Sequence, residues 1–459
     1  MNPPASPVLI GCAAGFAADR TDAGIPIVRE LKARKGPRFV IYETLGERTL
    51  ALSQIERRRD PRRGYNPSLE RFVAPILSDC LESGIRIVGN FGAANPRAAG
   101  ALLAEMARRS GSPKARIAVV EGDDLSAAFS PEDFARRETG GALLAERPPI
   151  IAANAYLGAA PIAEALDRGA DIVVTGRVGD PSLALGPLLH SFGWQLDDWR
   201  RLACGTLAGH LLECGSQITG GYFADPGIKD VPGMDDLGYP IAEIGADGGI
   251  VITKPAGTGG RVDRRIVTEQ LLYEIHDPAA YLTPDVVLDI TEVEIRELGP
   301  DRVQVSGARG KKRPDTLKAT VCLDSGLLAE AEISYAGPNA AARARLAIDT
   351  VRTRMARRAP TLKTRADAIG LMSIHGDSNG ALLAASAGEA ADVRVRFAAE
   401  STGREVLELL NLEVEALYCA GPAGGGGVRT RITPRLASAS CLIERERVHP
   451  TVSFVGEAP

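Results

Sequence analysis

Aromatic side chains are scarce in this sequence, with 10 Phe, 9 Tyr and 2 Trp among 459 residues, while Gly (50) and Pro (30) are plentiful. That mix suits a compact protein with many tight turns and small-residue packing. Cysteine is also thin. Its seven copies are scattered and odd in number, and no CxxC occurs, so neither a disulfide framework nor a zinc ribbon is expected. Reduced thiols in a cytoplasmic protein fit that usage. No apolar run reaches the ~18 residues of a membrane span. Residues 1–7 lack the charged and apolar regions of a secretory leader, so neither a leader nor a membrane partner is expected. A strong charge of one sign is missing too. The formal net charge is −4, and the short basic runs 57–59, 311–313 and 352–358 read as solvated faces, which argues against a nucleic-acid partner.

What is present is a repeated alternation. Short β-branched or apolar runs recur at Val8–Ile10, Phe39–Tyr42, Arg86–Val88, Ile117–Val120, Ile150–Ala153 and Ile172–Val174. Segments of helical periodicity separate them. Asn66-Pro67 is expected to cap a helix to about Ser83, and Asn95-Pro96 another to about Ser110. Six strands alternating with helices are the pattern of βαβ units and a mostly parallel sheet. Right-handed crossovers then place the carboxyl ends of the strands on one edge, where ligands sit in open α/β sheets.

Each strand delivers a polar group to that edge: Asp19, Glu43, Asn90, Asp123 or Asp124, Asn154, and Arg177 with Asp180. Together they predict a polar crevice that holds a ligand. Asn and Asp also dominate turns and caps, which accounts for Asn66 and Asn95 but poorly for Glu43. The stretch ADIVVTGRVGDPS at Ala170–Ser182 is the sharpest case. A buried strand stops at Thr175-Gly176-Arg177, and Asp180 is placed to cap a helix opening at Pro181. Arg177 and Asp180 stand where a site is expected, or else form an ion pair that ties down one loop.

Further along, Asp198–Cys214 reads as a helix with His210 and Cys214 on one face and Glu213 beside them. His210 is open to three readings: general acid or base, structural histidine, or metal ligand lacking identifiable further ligands. No metal site is expected. Ile250–Lys254 leads into PAGTGG, where Lys254, Thr258 and Gly259 could meet an anion. Neither a GxGxxG fingerprint nor a P-loop occurs. The chain turns β-rich and antiparallel from about Tyr281 to Ser334, and Ala341–Arg358 is a basic, Ala-rich helix. Beyond it come an expected strand Ile369–His375, the alternating Asp392–Phe397, the amphipathic Arg404–Tyr418, and Val428–Ile432 and Ala439–Arg445 as strands. The glycine run containing Gly425 is either a phosphate cradle or a flexible loop. Gly376-Asp377-Ser378-Asn379-Gly380 matches GxSxG, with Asp392 and His449 following, but a hydrolase elbow needs a strand–turn–helix within a large α/β sheet, and here the segment opens a small C-terminal domain.

The phrases TGRVGDPSLALGPL, GHLLECGSQITGG, EIGADGGIVITKPAGTGGRV, TEQLLYEIHDPAAYLTPDV and EVEALYCAGPAGGGGVR resemble the acyclic terpene utilisation (AtuA-type) family over nearly the whole chain. GNFGAANP at Gly89–Pro96 departs from the doubled Gly usual before that Asn-Pro. The resemblance implies a large α/β domain, residues 1–361 with its β-rich part at about 281–335, and a small ferredoxin-like α+β domain, residues 362–459. It implies a role in catabolism of branched or isoprenoid acids handled as coenzyme A thioesters, and it assigns no residue roles.

The expected function is lyase- or hydratase-type acid–base chemistry on such an acid or its acyl-CoA. His210 or Glu43 would be the base, Asp180 or Asp123 its orienter, and Arg177 or Lys254 the clamp. Coenzyme A is expected as part of the substrate, with no prosthetic group, in a homo-oligomer. The alternatives are a non-catalytic partner of a CoA-dependent carboxylase, or a metal-dependent or serine hydrolase.

Overall fold

The computed structural model describes residues 6–146, 149–386 and 388–457; the first five residues of the leader segment considered above lie outside them. Two compact units divide the chain, Met1–Cys322 with Ser438–Pro459, and Leu323–Ala437.

The first unit is organised on a ten-stranded sheet. Five parallel strands form its middle, in the spatial order Val8–Ala14, Arg38–Tyr42, Arg86–Gly89, Ile172–Thr175 and Ile117–Glu121. Their side chains are buried on both faces, as the unbroken apolar runs require. The chain passes outward to Ile117–Glu121 and then returns to insert Ile172–Thr175 inside it. That reversal of strand order is where a crevice opens in an α/β sheet. Beyond Val8–Ala14 lie Ile241–Ile244 and Ile250–Thr253, each antiparallel to its neighbour. Two antiparallel steps make Ile250–Thr253 parallel to Val8–Ala14, so Lys254 leaves the sheet on the same edge. The hairpin Glu294–Gly299 with Arg302–Ser306 closes one side, and Thr451–Phe454 pairs antiparallel with Ile117–Glu121 on the other.

Several expectations change. Ile150–Ala155 is a strand, yet it lies outside the parallel sheet and pairs with the strand Thr316–Ala336. An apolar run records burial, and burial does not say which sheet provides it. The helix expected from Asn66 to Ser83 is two short ones, Leu69–Val73 and Leu77–Ser83. Pro75 stands between them and has no N–H to continue the ladder. Gly84 ends the second at φ +65, as a left-handed cap.

The second unit packs two helices, Ala340–Arg358 and Arg404–Glu415, against an antiparallel array in which Asp392–Ser401 lies between Leu327–Ala336 and Thr364–Ile369. Ile333, Tyr335, Val351, Phe397, Leu407 and Leu410 fill its core. Glu413 ties the helices together by accepting from both Arg354 and Arg358. The strand expected at Ile369–His375 is instead Thr364–Ile369, because Gly370 turns the chain at φ +104. The two strands expected at 428–432 and 439–445 are one, Gly426–Glu444, which starts inside the glycine run. Among the described residues no helix is long and apolar enough to cross a membrane, and no group of three His, Cys, Asp or Glu is placed to hold a metal ion.

Candidate active site

Four strand ends of the parallel sheet, joined by the end of Ile150–Ala155, build one connected polar group. The Arg38–Tyr42 strand delivers Glu43, half-buried, whose Oε1 accepts from the Leu45 N–H (2.9 Å) and from Asn90 Nδ2 (3.0 Å). Asn90, at the end of the next strand, returns its Oδ1 to the Thr44 N–H at 2.7 Å. With Oε1 filled by two donors, Oε2 is the oxygen left to carry a proton.

Asp123, at the end of Ile117–Glu121, is 4% exposed and organises the following turn. Its Oδ2 accepts from the Arg177 N–H (2.9 Å) and from Asn154 Nδ2 (2.8 Å). Gly176 is required there: a Cβ would sit 2.6 Å from Asp123 Oδ1. Asn154 reaches Asp123 through the bridge between Asp124 and Asn154. Burial pushes Asp123 up to about 6, against the pull of those two hydrogen bonds.

Arg177 is 2% exposed. Its Nη2 donates to both oxygens of Asp180, at 2.7 and 2.9 Å, and its Nη1 donates to the Leu45 carbonyl. The guanidinium lies 4.1 Å over the Tyr156 ring. A buried cation without such partners would be strongly unfavourable. Burial works against its charge, but Asp180, Tyr156, Glu43 and Glu47 together hold its pKa above the ordinary value. Asp180 was expected to cap the next helix. Instead its carboxylate goes to Arg177, and the helix Ser182–Phe192 has no side-chain cap. The Asp180 side chain remains 31% exposed, the solvent-reachable member of the pair.

Burial pushes Glu43 up to about 8; the charge of Asp180 adds to this and Arg177 opposes it. Asp180 is raised as well, by burial, with Arg177 again opposing. Two neighbouring carboxyls in a desolvated setting do not both ionise cheaply. The direct hydrogen bonds from Arg177 go to Asp180, which favours its anion and leaves the proton on Glu43.

A second layer escaped the sequence reading. Glu47 accepts from the Tyr156 hydroxyl at 2.5 Å and lies 3.5 Å from Lys318 Nζ, which in turn sits 4.7 Å over the Tyr156 ring. Burial pushes Glu47 up, but Tyr156, Arg177 and Lys318 outweigh it and take it down to about 2. Tyr156 follows Asn154 by two residues and so was within reach of strand alternation. Nothing local marks Glu47 or Lys318.

His210 is 1% exposed in the helix Trp199–Glu213. Its Nε2 donates to the Leu271 carbonyl (3.2 Å), and its Nδ1 faces Glu213 Oε1 at 3.2 Å. A carbonyl only accepts, so Nε2 carries a hydrogen and the pair shares one further proton. Burial pushes Glu213 up to about 7, with His210 pulling down and Asp180 pushing up, so Glu213 feels the Arg177–Asp180 group. Burial disfavours the imidazolium, yet Glu213 and the backbone carbonyls hold the His210 pKa above its ordinary value. The helix meets the Asp180 loop directly: a Cβ on Gly209 would lie 2.4 Å from the Pro181 carbonyl oxygen.

The remaining predicted residues serve other sets of contacts. Asp19 accepts from the Gly15 and Arg20 N–H groups and from the Tyr239 hydroxyl, holding its own loop. Lys254 donates to the Thr258 carbonyl (2.8 Å) and pairs with Asp301 (3.4 Å), while Thr258 Oγ1 donates to Pro255. Gly259 packs backbone to backbone on Gly233, where a Cβ would lie 1.9 Å from the carbonyl oxygen. Gly425 lies in the second unit, beside Ile333 and Tyr335. In the GxSxG segment, Asp377 accepts from the N–H groups of Ala381 and Leu382, the first two residues of the helix Ala381–Ala385.

Residues 8–454 match the family model described as acyclic terpene utilisation family protein AtuA. No curated protein and no solved structure matches the chain.

Proposed function

The chain belongs to the acyclic terpene utilisation family AtuA, and on that premise we propose that it performs acid–base chemistry on a branched or isoprenoid-type acid or its coenzyme A thioester. Membership gives the role in acyclic terpene utilisation; the chemistry is our reading of the strand-end group. The observation that carries it is the pairing of a solvent-reachable Asp180, held by buried Arg177, with a half-buried Glu43 that keeps its proton at neutral pH. Two carboxyls driven to opposite protonation states are an acid and a base ready together.

In the hydratase or lyase direction, Asp180 takes the proton from the carbon next to the carbonyl. The electron pair forms a carbon–carbon double bond, the carbon–oxygen bond at the next carbon breaks, and Glu43 protonates the departing oxygen, releasing water. Arg177 is a positioning residue in this reading, because its Nη2 donates to Asp180 and its Nη1 to Leu45. Asn90 and Asp123 fix the two loops. His210 with Glu213 supports the Asp180 loop from behind. Coenzyme A belongs to the substrate, and the protein acts as a homo-oligomer. The ferredoxin-like domain expected over residues 362–459 stays part of the same reading, with the helix Arg404–Glu415 packed on the antiparallel strand Asp392–Ser401 in its support.

Incubation with a panel of branched acids and their CoA thioesters, followed by mass detection, tests the proposal. Turnover of at least one compound, lowered about 100-fold or more in Arg177→Ala, is expected. No turnover across the panel would overturn it. Co-purification with a CoA-dependent carboxylase in that case would favour a non-catalytic partner role.

A further inference from the structure

We infer, resting on the reading of the Glu43–Asp180 site, that Tyr281 is a further catalytic residue, whose hydroxyl donates a hydrogen bond to the carbonyl oxygen of the bound substrate. Its place comes from one short segment. Tyr281-Leu282 pairs antiparallel with Val287-Leu288, and Thr283 fixes the turn between them, its Oγ1 donating to the Val286 carbonyl at 2.7 Å. Neighbouring side chains of a strand leave on opposite faces. Leu282 goes to solvent, 62% exposed, and Tyr281 goes inward, its ring edge-on to His210 with the centroids 5.6 Å apart. The same segment packs onto the Asp180 loop. Buried Asp285 accepts from Ser182 Oγ at 2.6 Å and from the Ala159 N–H at 2.9 Å. A Cβ on Gly179, the residue before Asp180, would lie 2.9 Å from Pro284 Cδ. The helix Trp199–Glu213, which carries His210, touches that loop as well, through Gly209 and Pro181. Tyr281 therefore stands beside both the Asp180 loop and the His210–Glu213 pair.

The hydroxyl differs from the donors around it in being free. Arg177 Nη1 and Nη2 go to Leu45 and Asp180, Asn154 Nδ2 to Asp123, the Tyr156 hydroxyl to Glu47, and His210 Nε2 to the Leu271 carbonyl. Tyr281 Oη has no hydrogen-bond partner among the described residues, and it is not sealed from solvent. Burial and the nearby carboxyls of Glu213 and Asp180 hold the phenol pKa above its ordinary value, so Tyr281 keeps its hydrogen and serves as a donor, not as a base. The reaction calls for such a donor. When Asp180 takes the proton beside the carbonyl, negative charge builds on the carbonyl oxygen before the neighbouring carbon–oxygen bond breaks. A hydrogen bond already aimed at that oxygen strengthens as the charge grows. No bond forms or breaks at Tyr281 itself, and the phenol proton stays where it is.

The test compares wild type with Tyr281→Phe, which keeps the ring against His210 and removes only the hydroxyl. The probe is a methyl-branched butanoyl coenzyme A labelled with heavy carbon at its carbonyl, bound to each full-length protein and read by difference infrared spectroscopy. The carbonyl band should move to lower frequency on binding to wild type, and that shift should be lost in Tyr281→Phe. An equal shift in both proteins, no shift in wild type, or no binding to wild type overturns the inference. This readout needs no turnover, so a probe that binds with the expected shift and does not react counts against the enzymatic proposal alone. For any compound of the acid and thioester panel that wild type converts, Tyr281→Phe should lower kcat about 100-fold or more and change KM less than about threefold. An unchanged kcat overturns the inference and leaves the Glu43–Asp180 reading standing. The melting temperature of the variant should stay within about 2 °C of wild type, since the deleted hydroxyl leaves no partner stranded. A larger fall, or a variant that does not fold, would show that the hydroxyl serves the fold and would overturn the inference.

Discussion

Replacing Glu43 by Gln removes one titratable group and keeps its shape. Gln retains an acceptor for the Leu45 N–H and Asn90 Nδ2, and its amide supplies a donor where the protonated acid has one. The wild-type carboxyl is pushed up to about 8, by burial first and by Asp180 second. An unfolded glutamic acid titrates near 4.3. The folded state therefore binds more protons than the unfolded chain between these values, so this group lowers stability as pH rises through the interval. Below the unfolded pKa the two proteins should be alike. Above it wild type loses up to about 1.4 kcal/mol per pH unit relative to the variant. Because Glu43 is half-buried and coupled to Asp180, we expect a total gain for Glu43→Gln of about 2–4 kcal/mol between pH 5 and the plateau above the folded pKa. Urea unfolding of both proteins across that range, read by far-ultraviolet circular dichroism, measures it. Turnover should be lost in the variant, since Gln cannot donate the proton, and wild-type turnover should fall as pH rises through about 8. A stability difference that does not change with pH, or one that moves against the variant as pH rises, would refute the assignment. It would mean that Glu43 is ionised in the folded protein and stabilised by Arg177.

Two further outcomes follow from the same geometry. Asp123→Ala leaves the Arg177 N–H and Asn154 Nδ2 without their acceptor. We expect a loss of about 2–4 kcal/mol in chemical denaturation, with a smaller loss in Asp123→Asn, which keeps one acceptor oxygen. Gly209→Ala should destabilise by about 1–3 kcal/mol despite the better helix propensity of Ala, because the new methyl meets the Pro181 backbone, which cannot turn aside as a side chain would. A thermal melt unchanged from wild type would show that the helix and the Asp180 loop are not in close contact.

Strand ends were the legible part of the site. Glu43, Asn90, Asp123, Asn154, Arg177 and Asp180 each follow an apolar run, and runs, turns and caps are written in neighbouring residues. Their partners were less legible. Asp180 has the spacing of a helix cap, but a buried guanidinium outcompetes the helix N-terminus for one carboxylate, and that competition is invisible in GRVGDPS. His210 and Cys214 share a helical face, yet the hydrogen bond runs to Glu213, because the ring must answer the Leu271 carbonyl on its other side. Lys254 lies at the sheet edge as its strand implies, with its charge taken by Asp301, 47 residues away in sequence.

Taken alone, the chain determined where strands begin and stop, which turns need glycine, that helices lie between the strands, and which family it resembles. These depend on interactions among residues a few positions apart. Only the folded molecule decided that Ile172–Thr175 inserts between Arg86–Gly89 and Ile117–Glu121, that Ile150–Ala155 belongs to another sheet, and that Glu47, Tyr156 and Lys318 close around Arg177. The physical reason is that burial is recorded along the chain residue by residue. Which surface does the burying, and which charge answers a buried charge, are properties of pairs far apart in sequence.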